Sequence, residues 1–357
     1  MNARLLPPLL AFGLLAASLP AAEFNIKVDR LSPRTAVFYG DPWGNAIVAV
    51  ATQKGIVVID APFSKTIAGG FREAIAAELK RNDFACLINT HEHTCHVSGN
   101  SAYADVPIVG HESIRADMLR SMVDPTHKFS TASRLGLADR QLNGVRAKLE
   151  KSNPELLKTP GWANYEKAWK LIIADWSGAF VTVPPTITFD HRATMTFGDV
   201  TVRLDYLGCS HGVGDTFVSI PEENLVITAG FFYANLVPEI NPDLGLTAAT
   251  VENWLVVFRD LLARTDEHTR FLASHDPTPM NQEQIRTFMS YLEGVWTEVR
   301  RAKETGEPLE KLKARLPLKD RFPEMAKLEN SHLVGSEWEV LDIHARNIDV
   351  MWKALNP

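Results

Sequence analysis

Short apolar runs and longer amphipathic stretches alternate along the first part of the chain. The runs over residues 46–51 and 55–60 are rich in β-branched residues and are bounded by glycine or polar residues, as is typical of strands. Between 65 and 81, large apolar residues recur every four positions, which predicts a helix. Apolar segments over 85–89 and 106–109 predict two further strands. This order of strands and helix predicts an α/β fold.

The pattern changes between about residues 114 and 180, where Glu, Lys, Arg, Ala and Leu dominate and tryptophans recur. We interpret this stretch as a helical insertion, which serves either as a packing extension or as a lid or wall of a substrate site. Strand signals return over 186–228 as five short segments separated by turn residues. Their spacing predicts a meander of antiparallel strands.

The C-terminal part of the chain is predicted to be mainly helical. Residues 250–264 have the periodicity of a helix, and 270–274 form a last short strand. Apolar residues at helical spacing over 285–299 predict a further amphipathic helix. Ser336 and Glu339 form a capping box that opens a final helix. The apolar faces of these tail helices are expected to be core or the contact surface of a homodimer.

The N-terminal residues have the pattern of a secretory signal peptide. Arg4 is followed by an apolar run over 9–17 and by small residues, which predicts a signal peptide over 1–22 that is cut near Ala21–Glu23. The alternative is an uncleaved anchor. No later stretch is long and apolar enough to cross a bilayer, so no stable membrane span is expected after processing. We therefore expect an exported protein of the bacterial periplasm.

Charge and cysteine content narrow the range of partners. The 357-residue chain has a net charge of -6 and no basic patch of the kind that binds nucleic acid. Its three cysteines, Cys86, Cys95 and Cys209, are too few for a disulfide framework. In an oxidising compartment a reduced cysteine usually has a reason, such as burial or a metal. Cys209 is expected to be a buried residue, or alternatively a disulfide partner of Cys95.

Four metal-binding side chains lie within six positions of the segment THEHTCHVSGN, residues 90–100. His91 and His93 alternate and therefore project to one side of an extended segment; Cys95 continues the alternation, and His96 departs from it. Nitrogen and sulfur donors suit Zn²⁺, and a thiolate disfavours Mg²⁺ or Ca²⁺. The segment follows a predicted buried strand, so a metal site is expected at the end of that strand.

Two further histidines follow predicted strands later in the chain. His211 lies in a glycine-rich loop, and His275 lies directly after the strand predicted over 270–274. Both positions let an imidazole reach a shared cleft at the ends of the strands.

These segments together resemble the metallo-β-lactamase fold superfamily of metal-dependent hydrolases. The run His91-Glu-His-Thr-Cys-His96 resembles the hallmark His-x-His-x-Asp-His, and Gly55 to Asp60 resembles an upstream motif. Ser210-His211 and Ser274-His275 resemble its later histidine motifs. The likeness covers roughly residues 24–278 without the insertion. It implies an αββα sandwich with metals at one edge, in a domain over 23–280 that carries the insertion (about 114–180) and is followed by a helical extension over 281–357.

The resemblance also implies a ligand set for two zinc ions per chain. The first ion is expected at His91, His93 and His211, and the second at Cys95, His96 and His275. Cys95 stands where the superfamily has an aspartate, and can still bind zinc as a thiolate. The bridging aspartate of many members, found in a Thr-Gly-Asp turn, is missing from the run Thr228-Ala-Gly230-Phe231. The second zinc site is therefore expected to be the weaker one.

The function implied is a zinc-dependent hydrolase that acts on a small molecule. Zinc-bound water would lose a proton near neutral pH, and the resulting hydroxide would cleave an acyl bond in a β-lactam, lactone or ester. Asp60 and Asp215 are expected to orient ligating imidazoles or the attacking water, and the alternative for each is a plain turn or cap residue. Asp276 and His111 are weaker candidates for the same role, and Glu92 is expected to face solvent or a structural partner.

Three alternatives remain open. A sulfate or phosphate ester hydrolase would use the same site. A mononuclear iron enzyme, similar to the persulfide dioxygenases of the superfamily, would use His91, His93 and His211, with Cys95 reactive rather than ligating. A metal-binding protein without turnover is the third alternative.

Overall fold

The computed structural model describes residues 25–178, 180–234, 236–327 and 342–355, and its centre consists of two mixed β-sheets. The first sheet follows chain order from strand to strand: β1 (Lys27–Arg30), β2 (Thr35–Tyr39), β3 (Ile47–Thr52), β4 (Gly55–Ile59), β5 (Phe84–Ile88), β6 (Ile108–His111) and β7 (Ile187–Phe189). The second contains β8 (Arg192–Thr196), β9 (Thr201–Tyr206), β10 (Thr216–Ile220), β11 (Leu225–Ile227), β12 (Arg270–Ala273) and β13 (Asp276–Met280).

The first sheet is buried on both faces, because apolar residues occupy every position of its central strands. In β4, Val57 and Ile59 face the second sheet and share a core with residues of β9 and β10, whereas Ile56 and Val58 face the outer helices. Strands β1 to β4 pair antiparallel, and β4 to β7 pair parallel. The two sheets therefore form the middle layers of the predicted αββα sandwich.

Helices on the outer face of the first sheet include the predicted insertion. Ser64 caps the first helix, whose apolar side packs with Trp169 and Trp176 of the last insertion helix. The Trp176 indole donates to the Phe63 carbonyl at 2.8 Å. The helices of this layer and of the segments beside it are α1 (Lys65–Leu79), α2 (Thr94–Val97), α3 (Glu112–Val123), α4 (Thr131–Asp139), α5 (Val145–Ser152) and α6 (Pro160–Ser177). The predicted helical insertion is thus confirmed, and it is part of the sandwich.

The outer face of the second sheet is covered by helices of the C-terminal part of the chain. These are α7 (Ala248–Ala263), α8 (Gln282–Thr305), α9 (Leu309–Arg315), α10 (Leu318–Arg321), α11 (Pro323–Ala326) and α12 (Ile343–Ala354). The apolar faces of α7, α8 and α12 share one core that includes Phe217 of the second sheet. The helical extension is confirmed, and these faces are buried within the chain.

One strand prediction is wrong, and one strand was missed. β7 pairs parallel with β6 in the first sheet and does not join the meander, which begins only at β8. β13 was not predicted at all, because Pro277 and Pro279 are unusual in strands. It pairs with β12 at the sheet edge, where proline is tolerated.

Two sequence predictions lie outside the described residues, namely the signal peptide over 1–22 and the capping box of Ser336 and Glu339. Within the described ranges, none of the helices is long and apolar enough to cross a membrane.

Candidate metal centre

The histidine-rich segment follows β5 at the edge where the loops of both sheets meet. Two backbone hydrogen bonds join the sheets there, from Thr216 N to Thr90 O (3.0 Å) and from Ala46 N to Ser274 O (2.8 Å). The predicted extended alternation through Cys95 is wrong, because Thr94–Val97 form one turn of helix (α2) and only His93 before it is extended. Cys95 therefore reaches the cluster from a helical turn.

The structure brings all six predicted ligands together in two groups. Within each group, each residue offers one possible ligand atom, and these atoms lie within 4.8 Å of one another. One group contains His91, His93, His211 and His275, and the other contains Cys95, His96 and His275. His275 belongs to both groups, although the resemblance implied only the second. Which ions these groups bind stays a prediction.

Asp60 fixes the orientation and proton position of two of the imidazoles. Its Oδ2 atom is 2.9 Å from His96 Nδ1 and accepts a hydrogen bond from the Thr90 hydroxyl at 2.8 Å. Since that hydroxyl donates to Asp60, it accepts from His91 Nδ1, 3.0 Å away. Both rings therefore carry their proton on Nδ1, and each Nε2 has a lone pair free to bind a metal.

Asn45 and Asp41 fix the orientation and proton position of His275. Neither residue was predicted from the sequence. Asn45 donates from Nδ2 to Asp41 Oδ2 at 2.7 Å, so its Oδ1 faces His275 Nδ1 at 2.8 Å. His275 must then donate from Nδ1, which leaves its Nε2 as an acceptor. Burial raises the pKa of Asp41 to about 6, and its hydrogen bonds from Asn45 oppose the rise.

These proton positions leave acceptors facing each other in the cluster. His96 Nε2 and His275 Nε2 lie 3.1 Å apart, and with both protons on Nδ1 no hydrogen is left to join them. Two ligands of one tetrahedral zinc, with Zn–N near 2.1 Å, would lie roughly 3.3 Å apart. The Nε2 atoms of His91 and His211 are buried without a hydrogen-bond partner among the described residues. Unpaired buried acceptors are costly, and a cation would satisfy them.

Burial and nearby charges lower the pKa of four of the imidazoles. Burial lowers the pKa of His91, His93 and His275 well below the ordinary value, and charges on neighbouring histidines lower it further. The pKa of His211 falls to about 3 for the same reasons. Neutral imidazole is the form that binds metal, so these residues fit a metal centre.

Comparison with known proteins agrees with this geometry. Residues 40–275, well over half of the chain, match the metallo-beta-lactamase superfamily. The chain belongs to this superfamily. Its members are generally metal-dependent hydrolases, and the fold is of that hydrolase type.

Solved structures of the same fold include the sec-alkylsulfatase Pisa1 from Pseudomonas sp., with a TM-score of 0.56 and 13% identity. That match covers 92% of this chain and 50% of the alkylsulfatase, so this chain spans half the length of that protein. A metallo-beta-lactamase from Pontibacter korlensis aligns with a TM-score of 0.48 and 16% identity, over 75% of this chain and 99% of that one. No curated protein sequence matches the chain.

Asp215 acts on the backbone of the His211 loop of this metallo-beta-lactamase-fold chain. Its Oδ2 accepts from the backbone N–H groups of Ser210, His211 and Gly212 and from the Ser210 hydroxyl, at 2.6 to 3.1 Å. Burial raises the pKa of Asp215 to about 7 despite these donors. Asp215 thus positions His211 through the main chain, and its expected role towards the attacking water stays a prediction.

The remaining acidic and histidine candidates have structural contacts. Glu92 is buried, and its Oε2 atom accepts hydrogen bonds from Val213 N and Gly214 N. Of the two expectations for Glu92, solvent or a structural partner, these contacts agree with the second. His111 contacts Ser113 and the Asp190 carbonyl and stacks on Tyr206, away from the cluster. The carboxylate of Asp276 accepts from Thr278 N in a turn. Within the part of the chain that is described, neither His111 nor Asp276 contacts a ligand side chain through these bonds.

The run that lacks the bridging aspartate places Gly230, rather than Phe231, against the centre. A Cβ atom on Gly230 would lie 2.2 Å from His211 Cδ2, so the imidazole occupies the space of a side chain. Phe231 packs in the apolar core, stacked on Phe258. At this position the chain has a glycine instead of a carboxylate, and the His211 ring packs directly against that glycine.

The three cysteines are all free in the structure. Cys95 is fully buried beside His96, and burial raises the pKa of its thiol well above the ordinary value. The thiolate is the form that binds metal, and at this buried position it is stable only with a cation beside it. Cys209 is only partly buried, near the Val213 carbonyl, and its pairing with Cys95 stays an alternative.

Proposed function

We propose that the chain is a zinc-dependent hydrolase with two zinc ions, which cleaves an acyl bond in a small-molecule substrate. The observation that carries this proposal is the pair of facing Nε2 acceptors of His96 and His275, 3.1 Å apart, with protons fixed on the opposite nitrogens. Cys95 beside this pair favours zinc over harder cations, because sulfur is a soft ligand.

When bound, zinc would bring the pKa of a water ligand to about 7 and polarise a carbonyl group. The side chains of the protein supply orientation. Asp60 holds two imidazoles in the tautomer that binds metal, and Asn45 holds a third. Asp215 fixes the backbone that carries a fourth, His211.

Aromatic rings border the cluster on two sides. Tyr233 stacks on His275 with ring centroids 5.6 Å apart and planes at 12°. Phe129 meets His93 edge to face at 5.5 Å. Phe129 comes from the helical insertion, which supports the interpretation of that segment as a wall of the substrate site. An apolar border would suit the uncharged part of an acyl substrate.

The test combines metal analysis with a substrate panel. Purified protein is assayed with a chromogenic cephalosporin, an acyl-lactone, an aryl ester, an aryl sulfate and an aryl phosphodiester, before and after chelation and with zinc restored. Hydrolysis of a carbonyl substrate that chelation removes and zinc restores is the expected result. Hydrolysis of only the aryl sulfate or only the aryl phosphodiester would instead identify the protein as a sulfate or phosphate ester hydrolase. About one iron per chain without zinc dependence, or bound zinc with no turnover, would contradict the proposal.

Export to the periplasm belongs to this proposal and rests on residues 1–22 alone. The test is the N-terminal sequence of protein recovered from a periplasmic extract. A start near Glu23 is expected. An intact Met1 in this extract would contradict cleavage of the signal peptide, and absence of the protein from the extract would contradict export. A homodimer also stays a prediction.

A further inference from the structure

The segment 124–130, between α3 and α4 of the insertion, is fixed against the metal centre. His127 accepts from Phe129 N at its Nδ1 atom (3.1 Å), so its Nε2 donates to Asp117 Oδ1 at 2.9 Å. His127 and Asp117 are both buried. Phe129 then packs on His93, and Lys128 lies between these two fixed residues. The position of Lys128 is therefore set by its neighbours.

Lys128 places a positive charge beside the ligands. Its Nζ atom is 3.4 Å from Glu92 Oε1 and 4.7 Å from the centroid of the Phe129 ring. The Lys128 side chain is 40% exposed, whereas that of Glu92 is fully buried. The same Glu92 Oε1 atom lies 3.7 Å from Nε2 of the ligand His93. The ammonium is therefore close to the centre and is also reachable from solvent.

Neutralising the negative charge of Glu92 explains only part of why Lys128 lies beside it. Glu92 Oε2 already accepts from two backbone N–H groups, and the contact of Oε1 with Lys128 is at the long limit of a hydrogen bond. An ammonium has three donors, and one carboxylate oxygen occupies one of them. A fixed cation beside ligands also opposes the binding of a metal cation. The metal centre itself thus gains little from Lys128.

We propose that Lys128 determines substrate specificity by binding an anionic group, and that the substrate is an acyl compound with a carboxylate near the bond that is cleaved. The substrate class rests on the proposed function, because it assumes acyl hydrolysis at the neighbouring centre. Anion binding by Lys128 is a property of the zinc-loaded protein and does not depend on whether the protein hydrolyses a substrate.

The kinetic test compares two aryl esters that differ in charge. Mono-4-nitrophenyl glutarate carries a carboxylate, and 4-nitrophenyl hexanoate of similar length does not. We expect Lys128→Met to lower the ratio of kcat/KM for the glutarate ester over the hexanoate ester by about tenfold, the effect of one charge-assisted hydrogen bond. Lys128→Arg should retain most of the ratio. Lys148→Met, an exposed lysine on α5 with the same change in net charge, should leave it unchanged.

Calorimetry gives a second result that does not depend on turnover. Glutarate titrated into zinc-loaded protein should bind about tenfold more weakly to Lys128→Met than to the wild type and Lys148→Met. Zinc content is measured for each variant. If the wild type hydrolyses neither ester while zinc is bound, acyl hydrolysis of these esters fails, and the calorimetric comparison alone decides the role of Lys128.

Three results would overturn the role of Lys128. One is an unchanged ester ratio together with unchanged glutarate affinity in Lys128→Met. Another is an equal loss of activity towards both esters, which would indicate a structural effect. The third is loss of zinc in both Lys128→Met and Lys128→Gln, which would show that the lysine supports the centre.

Discussion

Asp60 has a left-handed backbone conformation, with φ of 67°, directly after β4. This region is strained for a residue other than glycine, and such strain is found mainly at functional sites. The conformation coincides with three hydrogen bonds that the Asp60 side chain accepts from Thr90 and His96, all within the buried edge of the sheets. A single carboxylate thus organises several residues of the segment that follows β5.

We predict that Asp60→Asn lowers zinc affinity by about 10- to 100-fold. Both carboxylate oxygens of Asp60 accept hydrogen bonds, whereas an asparagine side chain has one acceptor oxygen. The variant therefore cannot keep all of these hydrogen bonds, and one imidazole loses its fixed tautomer. Competition with a chromophoric chelator measures the change. Asp83→Asn, an exposed acid paired with Arg81, is the control and should bind zinc like the wild type. Equal affinity in both variants would remove Asp60 from this role.

Gly230 offers a second test at the same scale. An added Cβ would lie 2.2 Å from His211 Cδ2, so Gly230→Ala must displace the ring. We expect at least tenfold weaker zinc binding at the His91, His93 and His211 group. Gly69→Ala on α1 is the matched control, because its Cβ would meet nothing within 4 Å. Normal zinc binding by Gly230→Ala would show that the loop adapts and that the close fit is unimportant.

The sequence could predict the ligands far better than the residues that hold them. His91 to His96 are clustered within one segment, so their chemistry is visible without a fold. Asn45 contacts His275 from 230 positions away, and an asparagine in a turn has no local signal of such a contact. Lys128 was missed for the same reason, since its position depends on the fold of the insertion.

At the scale of elements, α12 secures the loop that carries Tyr233 to the centre. Asn347 on this helix accepts from Ile240 N at 3.1 Å and donates to the Pro238 carbonyl at 2.6 Å. Its amide also donates to the Tyr291 hydroxyl, which joins α12 to α8. The C-terminal extension therefore shapes the border of the site through its contact with residues 238–240.

We predict that Asn347→Ala lowers the free energy of unfolding by about 2–3 kcal/mol, because it leaves buried polar groups of the loop unpaired. Denaturation by urea measures the loss. Asn143→Ala, which removes an exposed contact with Asp139, should cost less than about 1 kcal/mol. Similar losses in the two variants would show that the link from α12 to the loop is not significant.

The types of most elements could be predicted, but some of their partners could not. Strong periodicity marked α1, α7 and α8. The bounds of α1 and α7 agree with the predicted ranges closely, whereas α8 is longer than predicted at both ends. Pairing of β7 with β6 across the insertion depends on contacts distant in sequence, so spacing alone assigned it to the wrong sheet. The strand β13 was missed because its prolines suppress the local signal.

At the scale of the whole molecule, the two sheets bring loops from four strands to one edge. Asp60 follows β4, His91 follows β5, His211 follows β9 and His275 follows β12. Loops at the end of a rigid sandwich position functional side chains precisely enough for metal binding. The positions of the histidines after predicted strands indicated this convergence, and the resemblance implied the ligand set. Hydrophobic pattern and composition alone indicated the α/β class.

The most direct measurement is the zinc content per chain of the wild type, Cys95→Ser and Cys95→Asp. We predict about two zinc ions in the wild type. Cys95→Ser should lose most of the second ion, because a hydroxyl is a poor zinc ligand, and Cys95→Asp should restore it with a carboxylate. Equal zinc content in all three proteins would exclude Cys95 from metal binding and contradict the two-zinc centre proposed for this edge of the sandwich.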